Sequence, residues 1–267
     1  LENPDARVAF ICLESDSHLS EIADSFLGLG TGGFEQFGRC YWEFPMKPGK
    51  WAWLQSSAQK SNFYDGLSLI VAWDYRISRV LGMDKDYRDR IHNQDQSGQQ
   101  AWGKNGVSIA LMRGLRSSVF LGHQYDKSMA AIVPRNEACF EAIYAFCSSN
   151  EFHDRVREVD QNVIVANGTL VKVPFDLEHW TKVAEEQYPN GLPKPYTDDP
   201  TQWIFHGHPC GSVIWDDGQK WTAHGPLRTD AGVLQVAVAR LLGYRWPAEL
   251  DPDMELADEQ RAWVNRC

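Results

Sequence analysis

The chain has 267 residues, of which 43% are hydrophobic and 23% charged, and it carries a formal net charge of -10. That composition is ordinary for a globular protein, argues against general disorder, and leaves room for one large domain or two smaller ones. The charge argues against a simple basic DNA-binding module, because phosphate contacts usually come from a positive surface.

No apolar run approaches the roughly 18 residues of a membrane span. The first residues, LENPDARVAF, have neither the basic segment nor the apolar core of a signal peptide. We therefore expect no membrane partner and a cytoplasmic location, and the N-terminus reads as a cut inside a longer protein. Cysteines at 12, 40, 139, 147, 210 and 267 are widely spaced and mostly lie in apolar patterns, which predicts reduced, buried thiols. The eleven tryptophans fit either a core or a stacking surface.

In chain order, the spacing of Leu19, Ile22, Ala23 and Phe26 predicts a helix from Asp16 to Leu29, with Asp16 or Ser17 as its cap. The phrase from Gly28 to Gly33 matches the dinucleotide fingerprint G-x-G-x-x-G. That motif needs a strand before it and a helix after it, whereas the predicted order is helix first and the strand-like Cys40–Phe44 second. A glycine cap and loop explain the glycines instead. Residues 51–56 and 69–73 predict short strands separated by a polar loop. The stretch DKDYRDRIHNQDQSGQQ, residues 84–100, has no apolar period and reads as a loop or mobile insertion.

Residues 102–175 are the organised centre. Val107–Met112, Val119–Gly122 and Met129–Pro134 are strand-length apolar runs separated by turn residues, which predicts an antiparallel sheet. Asn136 can cap a helix carrying Phe140, Ile143, Tyr144 and Cys147 at helical spacing. Ser148, Ser149 and Asn150 can end it and begin a second helix with Phe152, Val156 and Val159. A final strand is predicted over 163–175, closing on an Asn167-Gly168-Thr169 corner.

Asp176 then caps a helix through Trp180 and Val183, followed by a proline-rich connection at 188–196 and a loop-rich region at 200–230. There His206, His208 and Cys210 invite a metal reading, but no second ligand pair accompanies them, so a structural loop is favoured. Residues 232–244 predict a helix with Leu234, Val238, Leu241 and Leu242 on one face, and 258–266 begins another that is cut by the end of the chain at Cys267.

Charge is unevenly distributed. Residues 176–267 hold eight basic against fifteen acidic side chains, net -7, whereas residues 79–135 hold nine against five, net +4. The positive zone coincides with the predicted sheet.

Catalytic signatures are missing. There is no Gly-x-Ser-x-Gly elbow, no P-loop and no His-Glu-x-x-His helix. Methylation of adenine N6 needs an Asn/Asp-Pro-Pro-aromatic tetrapeptide that accepts hydrogen bonds from a flipped base, and no Pro-Pro pair occurs; Asn3-Pro4-Asp5-Ala6 comes nearest. The chain is expected to hold no catalytic centre, no cofactor and no metal of its own.

A resemblance adds to this reading. Trp102–Lys104 leading into the apolar strand set, the helix end at Tyr144–Ser149, and Asn167–Pro174 together resemble the target-recognition region of large adenine-specific DNA methyltransferases, those of type IIG restriction-modification and of the BREX and DISARM phage-defence systems. The Gly-Leu-x-Thr-Gly phrase with Phe37, Arg39 and Trp42-Glu43 is similar to the connector before that region, with Gly33-Phe34 standing where the family usually has Asp-Asn.

The resemblance implies an α+β fold, an antiparallel or mixed sheet backed by helices with a loop-rich helical extension. It divides the chain into a connector at 1–75, a recognition domain at 76–175 and an acidic extension at 176–267. It also implies double-stranded DNA as partner, S-adenosylmethionine held by an absent catalytic domain of the parent, and possible contacts to other defence-system subunits. Base reading uses Arg or Lys on guanine and Asn or Gln on adenine. Lys104, Asn105, Arg113 and Arg116, which flank the first two predicted strands, are the implied DNA-reading residues, with Arg39 and Thr31 as phosphate contacts. The alternative is a protein-interaction module that docks a partner through the acidic extension.

Overall fold

A computed structural model describes residues 17–44, 49–61, 63–86, 97–112, 114–192, 213–224, 231–253 and 265. The elements of the first part are β1 (Ala23–Leu27), α1 (Phe34–Phe37), β2 (Gly38–Cys40), β3 (Ala52–Gln55), β4 (Leu69–Val71) and α2 (Trp73–Leu81). The centre contains β5 (Gly106–Ala110), β6 (Ser117–Phe120), β7 (Gln124–Tyr125), β8 (Met129–Pro134), α3 (Phe140–Cys147) and α4 (Asn150–Val159). After it come α5 (Leu177–Gln187), β9 (Val213–Asp216), β10 (Trp221–His224), α6 (Ala231–Leu241) and α7 (Pro247–Leu250). The fold is α+β.

The main sheet has the order β1-β8-β5-β6 and is antiparallel throughout. Its strands alternate strictly between two cores, as the period of two demands. Along β8, Ala130 and Ile132 face the helices with Val107, Ile109 and Val119, whereas Met129, Ala131 and Val133 face the opposite side with Phe120, Tyr125 and Ala101. α3 packs on the first face and carries Ile143 and Phe146, both fully buried. The Phe146 ring lies 5.1 Å from Phe175, 5.1 Å from Trp180 and 5.3 Å from Phe152, centroid to centroid, and so gathers α3, α4, α5 and the 170–175 segment.

The caps form as their side chains dictate. Asn136 accepts from the Ala138 N–H at 3.1 Å, Ser149 from Phe152 at 3.1 Å and Asp176 from His179 at 3.0 Å.

A second sheet, of order β2-β4-β3-β7, is antiparallel except for the β3–β7 pair. Leu54 and Val71 face a cluster with Leu29, Phe37 and Trp73, while Ile70 faces Tyr41, Val236, Tyr244 and Trp246. Gln55, fully buried, joins the two sheets: its Nε2 donates to the Val119 carbonyl at 2.9 Å and to the Asp65 carbonyl at 3.2 Å. Strand pairing crosses the boundary expected between residues 75 and 76 in both sheets, since β1 pairs with β8 and β3 with β7.

Several elements differ from expectation. The strand-like Cys40–Phe44 holds only the end of β2 and continues as a 3-10 turn at Tyr41–Glu43, and the loop-rich region 200–230 contains the β9–β10 hairpin. Residues 17–29 do not form the expected helix; a single 3-10 turn at Leu19–Glu21 leads into β1. Leu19, Ile22, Ala23 and Phe26 happen to fit a helical period, but pairing with β8 along Ala23↔Pro134 to Leu27↔Ala130 satisfies that backbone and overrides local propensity. Residues 73–81 form α2, buried through Trp73, Arg76 and Val80, where only the end of a strand was expected. The strand expected at 163–175 is instead an irregular segment with isolated bridges Met112↔Ile164 and His18↔Pro174 and a 3-10 turn at Asn167–Thr169. Finally, α6 turns its leucine stripe to solvent, with Leu234 at 68% and Leu241 at 87% exposed, and packs instead through Val236.

Three free thiols are described: Cys147 is buried and Cys40 and Cys139 are half-buried. Burial pushes Cys147 up, and burial followed by the Glu43 carboxylate pushes Cys40 up to about 11. Cys12, Cys210 and Cys267, the His206–Cys210 cluster and the expected helix at 258–266 lie outside the described residues, apart from Asn265. No helix among the described residues is long and apolar enough to cross a membrane.

Phe146→Ala should cost about 3–5 kcal/mol of unfolding free energy, as large-to-small changes at a fully packed aromatic do. Leu241→Ser should stay within about 0.5 kcal/mol. Urea unfolding of the two variants checks both, and a large loss from Leu241→Ser would contradict the outward placement of the stripe.

Candidate nucleic-acid interface

The predicted DNA-reading residues are organised by the β5–β6 hairpin. Lys104 and Asn105 are exposed at the start of β5. Their loop is held by the Gly103 N–H donating to the Gly122 carbonyl at 2.8 Å and the Lys104 N–H donating to the Ala101 carbonyl at 3.1 Å.

At this same end of the sheet Arg135 closes on Asp24: its Nη2 lies 2.7 Å from Oδ1, its Nε donates to Oδ2 at 3.1 Å, and Nη1 donates to the Glu21 carbonyl at 2.8 Å. The hydrogen bond from Arg135 holds the Asp24 carboxyl below its ordinary value, against the opposing effect of burial. The charges of Arg135 and Lys104 lower it further. Arg135 is therefore engaged with Asp24, and Lys104 lies close enough to act on the same carboxylate.

Arg116 sits at the other end of the hairpin, where its carbonyl accepts from the Ala110 N–H at 2.9 Å. With a rise of about 3.4 Å per residue, the length of β5 separates this end from Asn105 by about 17 Å. The structure thus keeps Arg116 apart from Lys104 and Asn105 rather than converging them on one base pair. Arg113 lies outside the described residues.

Arg39 and Thr31 belong to the second sheet's surroundings. The Arg39 Nη1 donates to the Glu35 carbonyl at 2.5 Å and the Gly38 carbonyl at 2.6 Å, and its Nε lies 3.6 Å from the Glu43 carboxylate. Its guanidinium thus braces α1 and β2. The Thr31 carbonyl accepts from the Nε of Arg76 at 3.0 Å. Arg76 is itself only 1% exposed and stacks 4.8 Å from the Trp73 ring centroid.

The order around the glycines is the reverse of that expected, with β1 before Gly28 and α1 after Gly33. A dinucleotide cradle still does not result. α1 is one turn long, and a Cβ on Gly28 would sit 2.1 Å from the Asp126 carbonyl oxygen, so that glycine serves close packing of the loop against the β7–β8 turn.

Sequence reasoning missed the 160–166 loop beside the Arg116 end. Asp160, 2% exposed, turns its carboxylate inward and accepts from the Asn162 N–H at 3.1 Å, the Asn162 Nδ2 at 2.7 Å, the Ala166 N–H at 3.1 Å and the Thr169 hydroxyl at 3.5 Å. The Arg157 Nη1 donates to the Asn162 carbonyl at 2.5 Å. An Asp-Gln-Asn phrase after a helix was the available signal, since Asp closes such turns through its own carboxylate.

A second polar network ties the hairpin to its neighbours. Ser118 accepts from the Asp65 N–H at 3.0 Å and donates to the Phe63 carbonyl at 3.1 Å, while the Ser117 and Ser148 hydroxyls meet at 3.0 Å.

Among the described residues no three His, Cys, Asp or Glu side chains gather as a metal site. No family model matches the chain, and no curated protein matches it.

The lowered Asp24 value sets a pH dependence. A carboxyl depressed in the folded state stabilises the fold above its unfolded value of about 3.9 and loses that contribution as pH falls through the folded value. An NMR titration should find Asp24 below the ordinary range, and Arg135→Ala should move it upward. An unchanged Asp24 in that variant would show that the pair does not form.

Proposed function

We propose that this chain is a DNA target-recognition region, and that the parent protein is an S-adenosylmethionine-dependent adenine-N6 DNA methyltransferase of restriction-modification or phage-defence type. The observation that carries the reading is the arrangement of the resembling phrases. Trp102–Lys104 lead into β5, Tyr144–Ser149 end the helix tied to β6 through Ser148 and Ser117, and Asn167 donates to the Ser25 carbonyl of β1 at 3.2 Å. All three border one sheet, and the first of them lies in the net-positive stretch 79–135 of an otherwise acidic chain.

A sheet buried on both faces can present side chains to a groove only from its ends and loops, and those places hold Lys104, Asn105 and Arg116. S-adenosylmethionine belongs, in this reading, to the parent's catalytic domain. Gly28 in the glycine loop of this chain packs on the Asp126 carbonyl.

One observation favours a second reading, a protein-docking role of the acidic extension. α6 leaves Leu234, Val238, Leu241 and Leu242 facing solvent at 48–87% exposure, a stripe suited to a helix-binding groove on a partner subunit.

Fluorescence anisotropy with labelled duplex DNA separates the two. The chain should bind at low salt and weaken steeply as salt rises, and Lys104→Ala and Arg116→Ala should each lower the salt slope by about one if they neutralise a phosphate. Absence of salt-dependent binding, together with partner capture abolished by Leu241→Lys, would replace the first reading with the second.

A further inference from the structure

Three exposed apolar residues lie on the two segments that meet at the Arg116 end of the hairpin. Met112 is 45% exposed, Val163 74% and Ile164 59%. The bridge between Met112 and Ile164, with the Val165 N–H donating to the Leu111 carbonyl at 2.9 Å, joins the hairpin tip to the 160–166 loop. Such a cluster exposes apolar surface that folding ordinarily hides.

It is not loose chain. Leu115 holds a left-handed backbone, with φ 45°, while its side chain is buried at 3% exposure. That conformation is costly for a residue with a Cβ and persists only where the surroundings fix it. Val165, 1% exposed, anchors the other side, and the inward Asp160 carboxylate fixes the loop between them. The two supports aim Val163 and Ile164 outward and hold them there.

The charges around this apolar tip select its partner. Arg116 lies at the foot of the hairpin turn, and Arg157 lies under the loop, bound to the Asn162 carbonyl. Of the acids beside this loop, Asp160 is turned inward, and Glu158 and Glu151 on α4 lie 3.5 and 3.8 Å from Arg155, while Asp154 on the same helix is exposed. A rigid aliphatic prominence with guanidinium groups at its base matches the way minor-groove proteins open a base step, the apolar side chains entering between bases and the cations meeting flanking phosphates.

We infer that Met112, Val163 and Ile164 form a wedge that enters a base step of duplex DNA and bends it. The inference rests on the DNA reading proposed above and assigns it one end of the sheet.

The test uses the full chain, a pool of labelled duplexes of random sequence, and end-to-end energy transfer to read bending. The unaltered protein should shorten the end-to-end distance. Val163→Ser with Ile164→Ser should reduce affinity about tenfold and abolish the bend while leaving the salt slope unchanged, because no phosphate contact is lost.

Val163→Lys keeps the test decisive should the double variant be unstable. As part of a wedge it abolishes the bend despite the added cation; on a merely electrostatic surface it strengthens binding and overturns the inference. Salt-dependent binding without bending, unaffected by the Val163 and Ile164 changes, would overturn the wedge and leave the DNA reading standing. No binding by the unaltered protein would overturn both.

Discussion

β8 is the constraint on which the rest of the chain depends. It is hydrogen-bonded to β1 on one side and β5 on the other, and its residues alternate between two separate apolar cores. A strand so placed has one permitted register, because a shift by one residue would exchange the contents of the two cores. The register of β8 fixes β5, and β5 fixes β6 and the hairpin turn. On the other side it fixes β1, whose Asp24 meets Arg135 just beyond the strand end. Gln55 then couples this sheet to the second through the Val119 carbonyl.

Because both faces of the sheet are covered, its accessible chemistry is at its ends. One end presents Lys104 and Asn105 beside an ion pair that already engages Arg135. The other presents Arg116 with an apolar tip braced by Asp160 and Leu115. The positive charge in the sequence between 79 and 135 is therefore not one patch. Part of it is structural, as in Arg135 bound to Asp24; just before this zone, Arg76 is likewise buried under the glycine loop against Trp73. What is left for a ligand is divided between two ends about 17 Å apart.

Much of this was legible in the residues. The three strands of the centre and the helices α3, α4 and α5 follow from apolar period and from caps whose side chains form the expected hydrogen bonds, at Asn136, Ser149 and Asp176. Some of the failures share a cause, dependence on a partner distant in sequence. β1 carries a period that fits a helix until β8, more than a hundred residues away, supplies its hydrogen bonds. α6 forms where a helix was expected, with its leucine stripe facing solvent, and it packs on Tyr41 and Ile70 through Val236, with Tyr244 and Trp246 just beyond it in the chain. The proposed DNA-reading residues Lys104, Asn105 and Arg116 lie beside β5 and β6, but spacing along the chain could not show that they occupy opposite ends. The 160–166 loop was invisible because its order comes from one buried carboxylate rather than from any periodic pattern.

We propose that duplex DNA is met at the end of the sheet formed by the hairpin turn and the 160–166 loop. Hydrogen–deuterium exchange of the full chain, with and without duplex DNA at low salt, tests it most directly. Amides of 111–116 and 161–166 should exchange more slowly in the complex while those of α6 remain unchanged. Protection confined to α6, or no protection anywhere in the presence of saturating DNA, would contradict the claim.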